Sequence, residues 1–184
     1  MSSVSLNEVA QVREEADCLW SQQQVMKALD KMAAALSVRI ADQHPLLLTV
    51  MNGAVIPMGY LLTRLDFPLQ VDYIHATRYG EALSGGALEW IARPRIGLSG
   101  RTVVIVDDIH DEGGTLHALS QWCGEQGAKE VVTVTLVTKL HDRKIAEPSD
   151  FNALTVPDRY VFGFGMDYKG YLRNMPGIYA LKEE

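Results

Sequence analysis

Charge of one sign never accumulates along this chain. Its 184 residues carry 17 Lys and Arg against 23 Asp and Glu, a formal net charge of -6, and no Lys/Arg run or basic tail stands out. That argues against a nucleic-acid partner, because a phosphate-tracking surface needs concentrated cations. Long apolar runs are lacking too. None approaches the roughly 20 residues of a membrane span. The charges from Glu8 to Asp17 leave no signal-peptide apolar region near Met1. Cysteine is scarce: Cys18 and Cys123 stand apart without CxxC spacing. Two free, reduced thiols in a cytoplasmic protein are expected. There is no GxxxxGK[ST] phosphate loop, and Gly163-Phe164-Gly165 lacks a third glycine because position 168 is Tyr. No internal repeat, low-complexity stretch or interdomain linker is found.

What remains is an ordinary globular composition, 47% hydrophobic and 22% charged, that fits one domain over residues 1–184. Residues 5–43 read as helical. Ser5 with Glu8, and Ser21 with Gln24, have capping-box spacing. Val25, Leu29, Met32, Leu36 and Ile40 recur at three- and four-residue steps. His44-Pro45 ends that stretch. Leu46–Val50 is a continuous apolar run of the kind buried on both faces of a sheet. A helix is expected from about Pro57 to Leu65, and strands at 71–76, 102–106, 131–137 and 160–164. Residues 78–88 are Gly-rich and read as a loop. Strands alternating with helices predict an α/β fold, a mostly parallel sheet flanked by helices. Ligands of such sheets bind beyond the carboxyl ends of the strands.

One junction concentrates the chemistry. Residues 103–115 read Val-Val-Ile-Val-Asp-Asp-Ile-His-Asp-Glu-Gly-Gly-Thr. A buried strand ends in Asp107 and Asp108, a third acid follows at Asp111, and Gly113, Gly114 and Thr115 open a helix. Glycines let backbone approach a ligand closely, and amides at a helix N-terminus favour an anion. Adjacent carboxylates suit a ribose diol, because each accepts hydrogen bonds from hydroxyls. Acids at a buried strand end are costly without such partners.

This stretch resembles the phosphoribosyl-pyrophosphate motif of the type I phosphoribosyltransferases. The resemblance implies that Asp107 and Asp108 hold the ribose hydroxyls and that Asp111, Glu112, Gly113, Gly114 and Thr115 cradle the 5-phosphate. Glu112 stands where Thr or Ser is common, so its side chain is expected to point away while its amide serves. Gly114 stands where some relatives carry a basic residue.

Three further segments resemble the hypoxanthine-guanine phosphoribosyltransferases, and the likeness covers residues 45–177. Lys139 ends the 131–138 strand, where that subfamily reads the purine 6-oxygen. Pro157–Gly163 and Met166–Tyr168 resemble its purine-binding end, a small hood at about residues 155–177. There Tyr160 would stack on the base, Val161 would read the base edge through its backbone, and Asp167 would help organise Mg²⁺. Arg173 would contact pyrophosphate, and Asp107 and Asp108 are further candidate metal ligands. Met51-Asn52-Gly53 occupies the pyrophosphate turn, with a cis Met51-Asn52 peptide implied and Asn52 where several relatives have Lys. Arg78-Tyr79 stands where the family has a Ser-Tyr pair on a closing loop.

Asp111 is the expected general base. His110 and His117 flank the motif and are not expected to be ligands, and Asp142-Arg143-Lys144 reads as a solvated loop. The partners implied are a purine base and phosphoribosyl pyrophosphate, with no nucleic acid and no membrane, in a homodimer or homotetramer. A xanthine-preferring enzyme, a regulatory RNA-binding protein and a silent sugar-phosphate sensor on the same fold are the alternatives.

Overall fold

The computed structural model describes residues 4–78 and 88–183. In chain order they form α1 (Leu6–Glu15), β1 (Asp17–Trp20), α2 (Gln22–Ile40) and a short 3-10 turn (Ala41–Gln43). Then come β2 (Leu46–Val50), α3 (Val55–Leu62), β3 (Gln70–Arg78), β4 (Leu88–Ala92), β5 (Thr102–His110) and α4 (Gly114–Glu125). The chain closes with β6 (Glu130–Leu140), β7 (Phe151–Pro157), β8 (Val161–Phe162) and β9 (Ile178–Ala180).

A six-stranded sheet runs in the order β4-β3-β2-β5-β6-β7, parallel throughout except for β4 at one edge. All five side chains of β2 are buried, and so are the first six of β5. That follows from helices covering both faces of the sheet. Register does the rest. Thr49 lies opposite Val106, and Ile109 lies opposite Val137. The carboxyl ends of β2, β5 and β6 therefore finish side by side, and whatever follows each strand converges on one rim.

Helix α2 begins where Ser21 and Gln24 close a reciprocal capping box, and it buries Val25, Leu29, Met32, Leu36 and Ile40. It runs to Ile40, and the 3-10 turn that follows ends at His44, whose φ of 47° stops a right-handed helix. Trp90 of β4 meets Trp122 of α4 at 4.7 Å between ring centroids, which pins α4 to the sheet edge.

A second, three-stranded antiparallel sheet has the order β1-β9-β8. Phe162, Tyr168, Leu172 and Val9 form a separate small core beneath it. This hood differs from the helical reading of residues 5–43, because residues 17–20 are a strand. Both caps are where the sequence places them, but Asp17 pairs with Ala180 and Trp20 with Ile178. The Trp20 indole also donates to the Thr155 carbonyl at 2.9 Å. Long-range partners thus override local helix preference in the short gap between two caps.

Other boundaries shift for local reasons. The strand expected at 160–164 is only Val161–Phe162, because Gly163, Phe164 and Gly165 have φ values of 94°, 48° and 112° and turn the chain sharply. The helix expected at 57–65 spans Val55–Leu62. β5 continues through the acids to His110, and β4 and β7 were not expected as strands.

Among the described residues no helix is long and apolar enough to cross a membrane. Cys18 is exposed and Cys123 buried, both free, and burial pushes the Cys123 thiol up to about 12. Leu36 is fully buried in the main core. Leu36→Ala is expected to cost about 2–5 kcal/mol, read as a lowered midpoint in urea unfolding with the slope unchanged.

Candidate active site

Backbone geometry after β5 exposes amides and carboxylates to one cleft. Gly113 sits at φ 91°, in the left-handed region, and α4 starts at the next residue with no side chain capping it. The first-turn amides of a helix have no intrahelical partner, so those of Gly114–Leu116 are left for a ligand. A Cβ at Gly113 would also run into the His110 ring. The cleft, about 880 Å³, is lined by Asp107, Asp108, Asp111, Gly113–Leu116 and also by Arg143, Lys144 and Ile145.

Asp107 and Asp108 stand at the mouth of that cleft. Asp107 is buried, and its Oδ1 accepts the Asp108 backbone N–H at 2.9 Å. Burial pushes its carboxyl well above the ordinary value, and the Asp108 charge adds to that. Burial raises Asp108 as well. The pair resists carrying two full charges until hydroxyls or a cation supply partners.

Glycines press against them from the neighbouring turn. The Met51-Asn52 peptide is cis. A Cβ on Gly53 would overlap the Asp108 carboxylate, and one on Gly165 would overlap the Gly53 carbonyl oxygen. The Asp108 carboxylate and the backbone at Gly53 and Gly165 are thus stacked without room for a methyl group. Asn52 itself is exposed and does not line the cleft.

A smaller pocket, about 190 Å³, adjoins the cleft and shares Asp108, Ile109 and Asp111 with it. Its other walls are Lys139, Tyr160, Val161, Met166 and Asp167. Tyr160 is half exposed and its hydroxyl donates to the Asp167 carbonyl at 3.3 Å. Asp111 stands between the two spaces. Its Oδ2 accepts from the Lys139 ammonium at 2.6 Å and its Oδ1 pairs with Nε2 of His141 at 2.6 Å. Burial pushes the Asp111 carboxyl up, but these two bonds outweigh it and hold the group below its ordinary value.

Arg173 and Asp167 engage each other. Nη2 of Arg173 pairs with Oδ1 of Asp167 at 2.6 Å, and Nη1 donates to the Gly165 carbonyl at 2.6 Å. The other Asp167 oxygen accepts the Gly170 N–H at 2.6 Å. Direct metal ligation by Asp167 would require these bonds to break. Among the described residues no three His, Cys, Asp or Glu side chains converge as a metal cage. Buried Asp107 and half-buried Asp108 are carboxylates of the kind that suits Mg²⁺, with Arg173 the cation that acts on Asp108. Mg²⁺ takes only one or two carboxylates and completes its shell with water and phosphate oxygens.

Sequence reasoning thus gathers Asp107, Asp108, Asp111, Gly113, Gly114, Thr115, Lys139, Tyr160, Val161 and Asp167 around two joined spaces. Glu112 lines the cleft, its side chain is solvent-exposed and its carbonyl accepts the Ile145 N–H at 3.0 Å. Tyr79 and the side chain of Arg78 lie outside the described residues.

The 142–144 segment needs correction, because it is not simply solvated. The Lys144 ammonium donates to the carbonyls of His110, at 3.0 Å, and Asp111, and so buttresses the motif. Arg143 makes a two-pronged ion pair with Asp158 at 2.7 and 2.9 Å. His141 was missed altogether. Only its place two residues beyond Lys139 pointed to it. His110 is buried and bonds the Glu147 carbonyl at 3.1 Å, whereas His117 is exposed on α4.

This constellation, a strand-to-helix anion cradle beneath paired acids on a parallel sheet, defines a phosphoribosyl-binding enzyme fold. Residues 16–169 match the phosphoribosyl transferase domain, and the chain belongs to that family. It is 33% identical over 165 residues to the hypoxanthine-guanine phosphoribosyltransferase of Bacillus subtilis (strain 168), covering 89% of this chain and 92% of that one. It is 32% identical to the enzyme of the same name from Streptococcus pneumoniae (strain ATCC BAA-255 / R6), over 90% of this chain and 93% of that one. A solved hypoxanthine-guanine-xanthine phosphoribosyltransferase superposes with a TM-score of 0.84 at 30% identity, covering 92% of this chain and 99% of that chain.

The tight stack at the rim gives a direct test. Gly53→Ala must displace Asp108 or the turn. Misplacements of about 1 Å can cost roughly 100-fold, and a loss of that order in kcat/KM for the phosphoribosyl donor is expected, with the fold retained by circular dichroism.

Proposed function

We propose that this protein transfers the 5-phosphoribosyl group from phosphoribosyl pyrophosphate to hypoxanthine or guanine in purine salvage. The carrying observation is that the amide-lined cleft and the lysine-walled pocket share Asp108, Ile109 and Asp111. A sugar phosphate in one and a planar base in the other would meet there.

Each group has a part in this reading. Amides of Gly113–Leu116 and the Thr115 hydroxyl hold the 5-phosphate. Asp107 and Asp108 accept from the ribose hydroxyls. Gly53, with Asn52 beside it, keeps the turn close enough for backbone to meet pyrophosphate, and Arg173 supplies a cation once Asp167 yields it. Lys139 donates to the 6-oxygen, which favours an oxopurine over an adenine amino group. Tyr160 stacks on the base and Val161 offers its backbone to the base edge. Mg²⁺, held by Asp107, Asp108 and substrate oxygens, would supply countercharge to pyrophosphate.

The reaction is a displacement. A purine ring nitrogen forms a bond to the anomeric carbon while the carbon–oxygen bond to pyrophosphate breaks. The imidazole proton passes to Asp111, and positioning together with preorganised donors supplies most of the acceleration. An RNA-binding role finds no support in a net charge of -6. A homodimer or homotetramer in the cytoplasm completes the reading, with sedimentation velocity as the check on assembly.

Pyrophosphate release with hypoxanthine, guanine, xanthine and adenine tests the whole. Release with hypoxanthine or guanine but not adenine is expected, and adenine alone being used would overturn the role of Lys139. Asp111→Asn should bind both substrates yet slow single turnover by about 100-fold or more. A variant turning over at the native rate would remove Asp111 from proton transfer.

A further inference from the structure

The geometry points to His141 as a positioning residue that fixes Oδ1 of Asp111 throughout turnover and leaves Oδ2 to exchange Lys139 for the purine N–H. This rests on the reading of Asp111 as proton acceptor. It adds which of its oxygens reacts and what holds the other.

The two partners of Asp111 differ in kind. Lys139 lines the purine pocket and reaches Oδ2 through a flexible stem. An arriving 6-oxopurine offers that ammonium another oxygen at little distance, so the bond to Oδ2 is exchangeable. His141 lines neither the pocket nor the cleft, and its side chain is only 3% exposed. It cannot touch the base, and no substrate atom competes for it.

The tautomer of the neutral His141 ring is set by the backbone. Nδ1 accepts the Arg143 N–H at 3.0 Å, so its lone pair is occupied. The one hydrogen of the neutral ring must therefore sit on Nε2, which donates to Oδ1 at 2.6 Å. Arg143 is itself held by its two bonds to Asp158. The chain of contacts Asp158–Arg143–His141–Asp111 aims the carboxylate without needing a charged imidazole. Outer groups of this type orient a reacting group.

The arrangement also solves a problem of base strength. With both partners in place Asp111 lies below its ordinary value and is a weak base. Transfer of Lys139 to the 6-oxygen removes one of the two bonds only when the correct base has arrived. His141 then keeps the freed carboxylate from rotating away, with Oδ2 facing the pocket.

The test uses the full-length enzyme with His141→Phe, which keeps a planar ring without donors, and His141→Gln, which restores an N–H at similar reach. Both are made in the native and Asp111→Asn backgrounds. In the native background His141→Phe should slow single turnover by about 10-fold or more, with KM for phosphoribosyl pyrophosphate within about 2-fold. His141→Gln should recover most of the rate. Adding His141→Phe to Asp111→Asn should change nothing further, since residues acting through one another are not additive.

A folded His141→Phe enzyme at the native rate would overturn the assignment. So would an equal loss in the Asp111→Asn background, or a Gln variant as slow as Phe. Native turnover by Asp111→Asn alone condemns the proton-acceptor reading instead, so the two failures are separable. Should the Phe variant not fold, long-range ¹H–¹⁵N spectra of the native enzyme decide. A hydrogen on Nε2 supports the proposal, and one on Nδ1 refutes it.

Discussion

The structure depends on a conflict at the end of β5. A strand with six consecutive buried side chains delivers two adjacent carboxylates to its carboxyl end. Hydrophobic burial fixes where Asp107 and Asp108 lie, and desolvation makes them poor hosts for unshared charge. Everything nearby answers that conflict. Gly53 and Gly165 close the space behind, Arg173 lends a field, and the amides of α4 wait in front. A ligand rich in hydroxyls and phosphate oxygens, with a divalent cation, would resolve it.

Departures from the family pattern find compensation from another part of the chain. Gly114 brings no cation to the cradle and Glu112 brings an acid. Arg143, Lys144 and Ile145 also line the cleft, joined to the motif through Glu112 and the carbonyls of His110 and Asp111. The Lys144 ammonium thus brings positive charge directly against the motif from another part of the chain. Lys144 also reaches Nδ1 of His110 at 3.3 Å, and the His110 ring lies between Gly113 and the Glu147 carbonyl.

Much of this was legible in the residues. The 103–115 run carried both its strand and its turn, because burial, acid placement and glycine each have strong local signatures. The parallel sheet followed from continuous apolar runs. β1 did not, since four residues between two caps take their conformation from β9, far away in sequence. β7 was hidden for a similar reason: Phe151–Pro157 is a strand because it pairs with β6, and its burial alternates because α2 packs against it. His141 was invisible because its function depends on a backbone N–H two residues on and a carboxylate thirty residues back. No periodicity or motif encodes such a triangle.

The hood joins segments from opposite ends of the described chain. Asp17 pairs with Ala180, and Arg159 ties the carboxylate of Asp17 to the Leu181 carbonyl. On the ribosome, the main sheet and its sugar-phosphate cradle have all their strands once residue 157 has emerged. The roof over the base has not. Asp17, Cys18 and Trp20 of β1 thus have no strand to pair with until Ile178–Ala180 has been made, and the small sheet closes last.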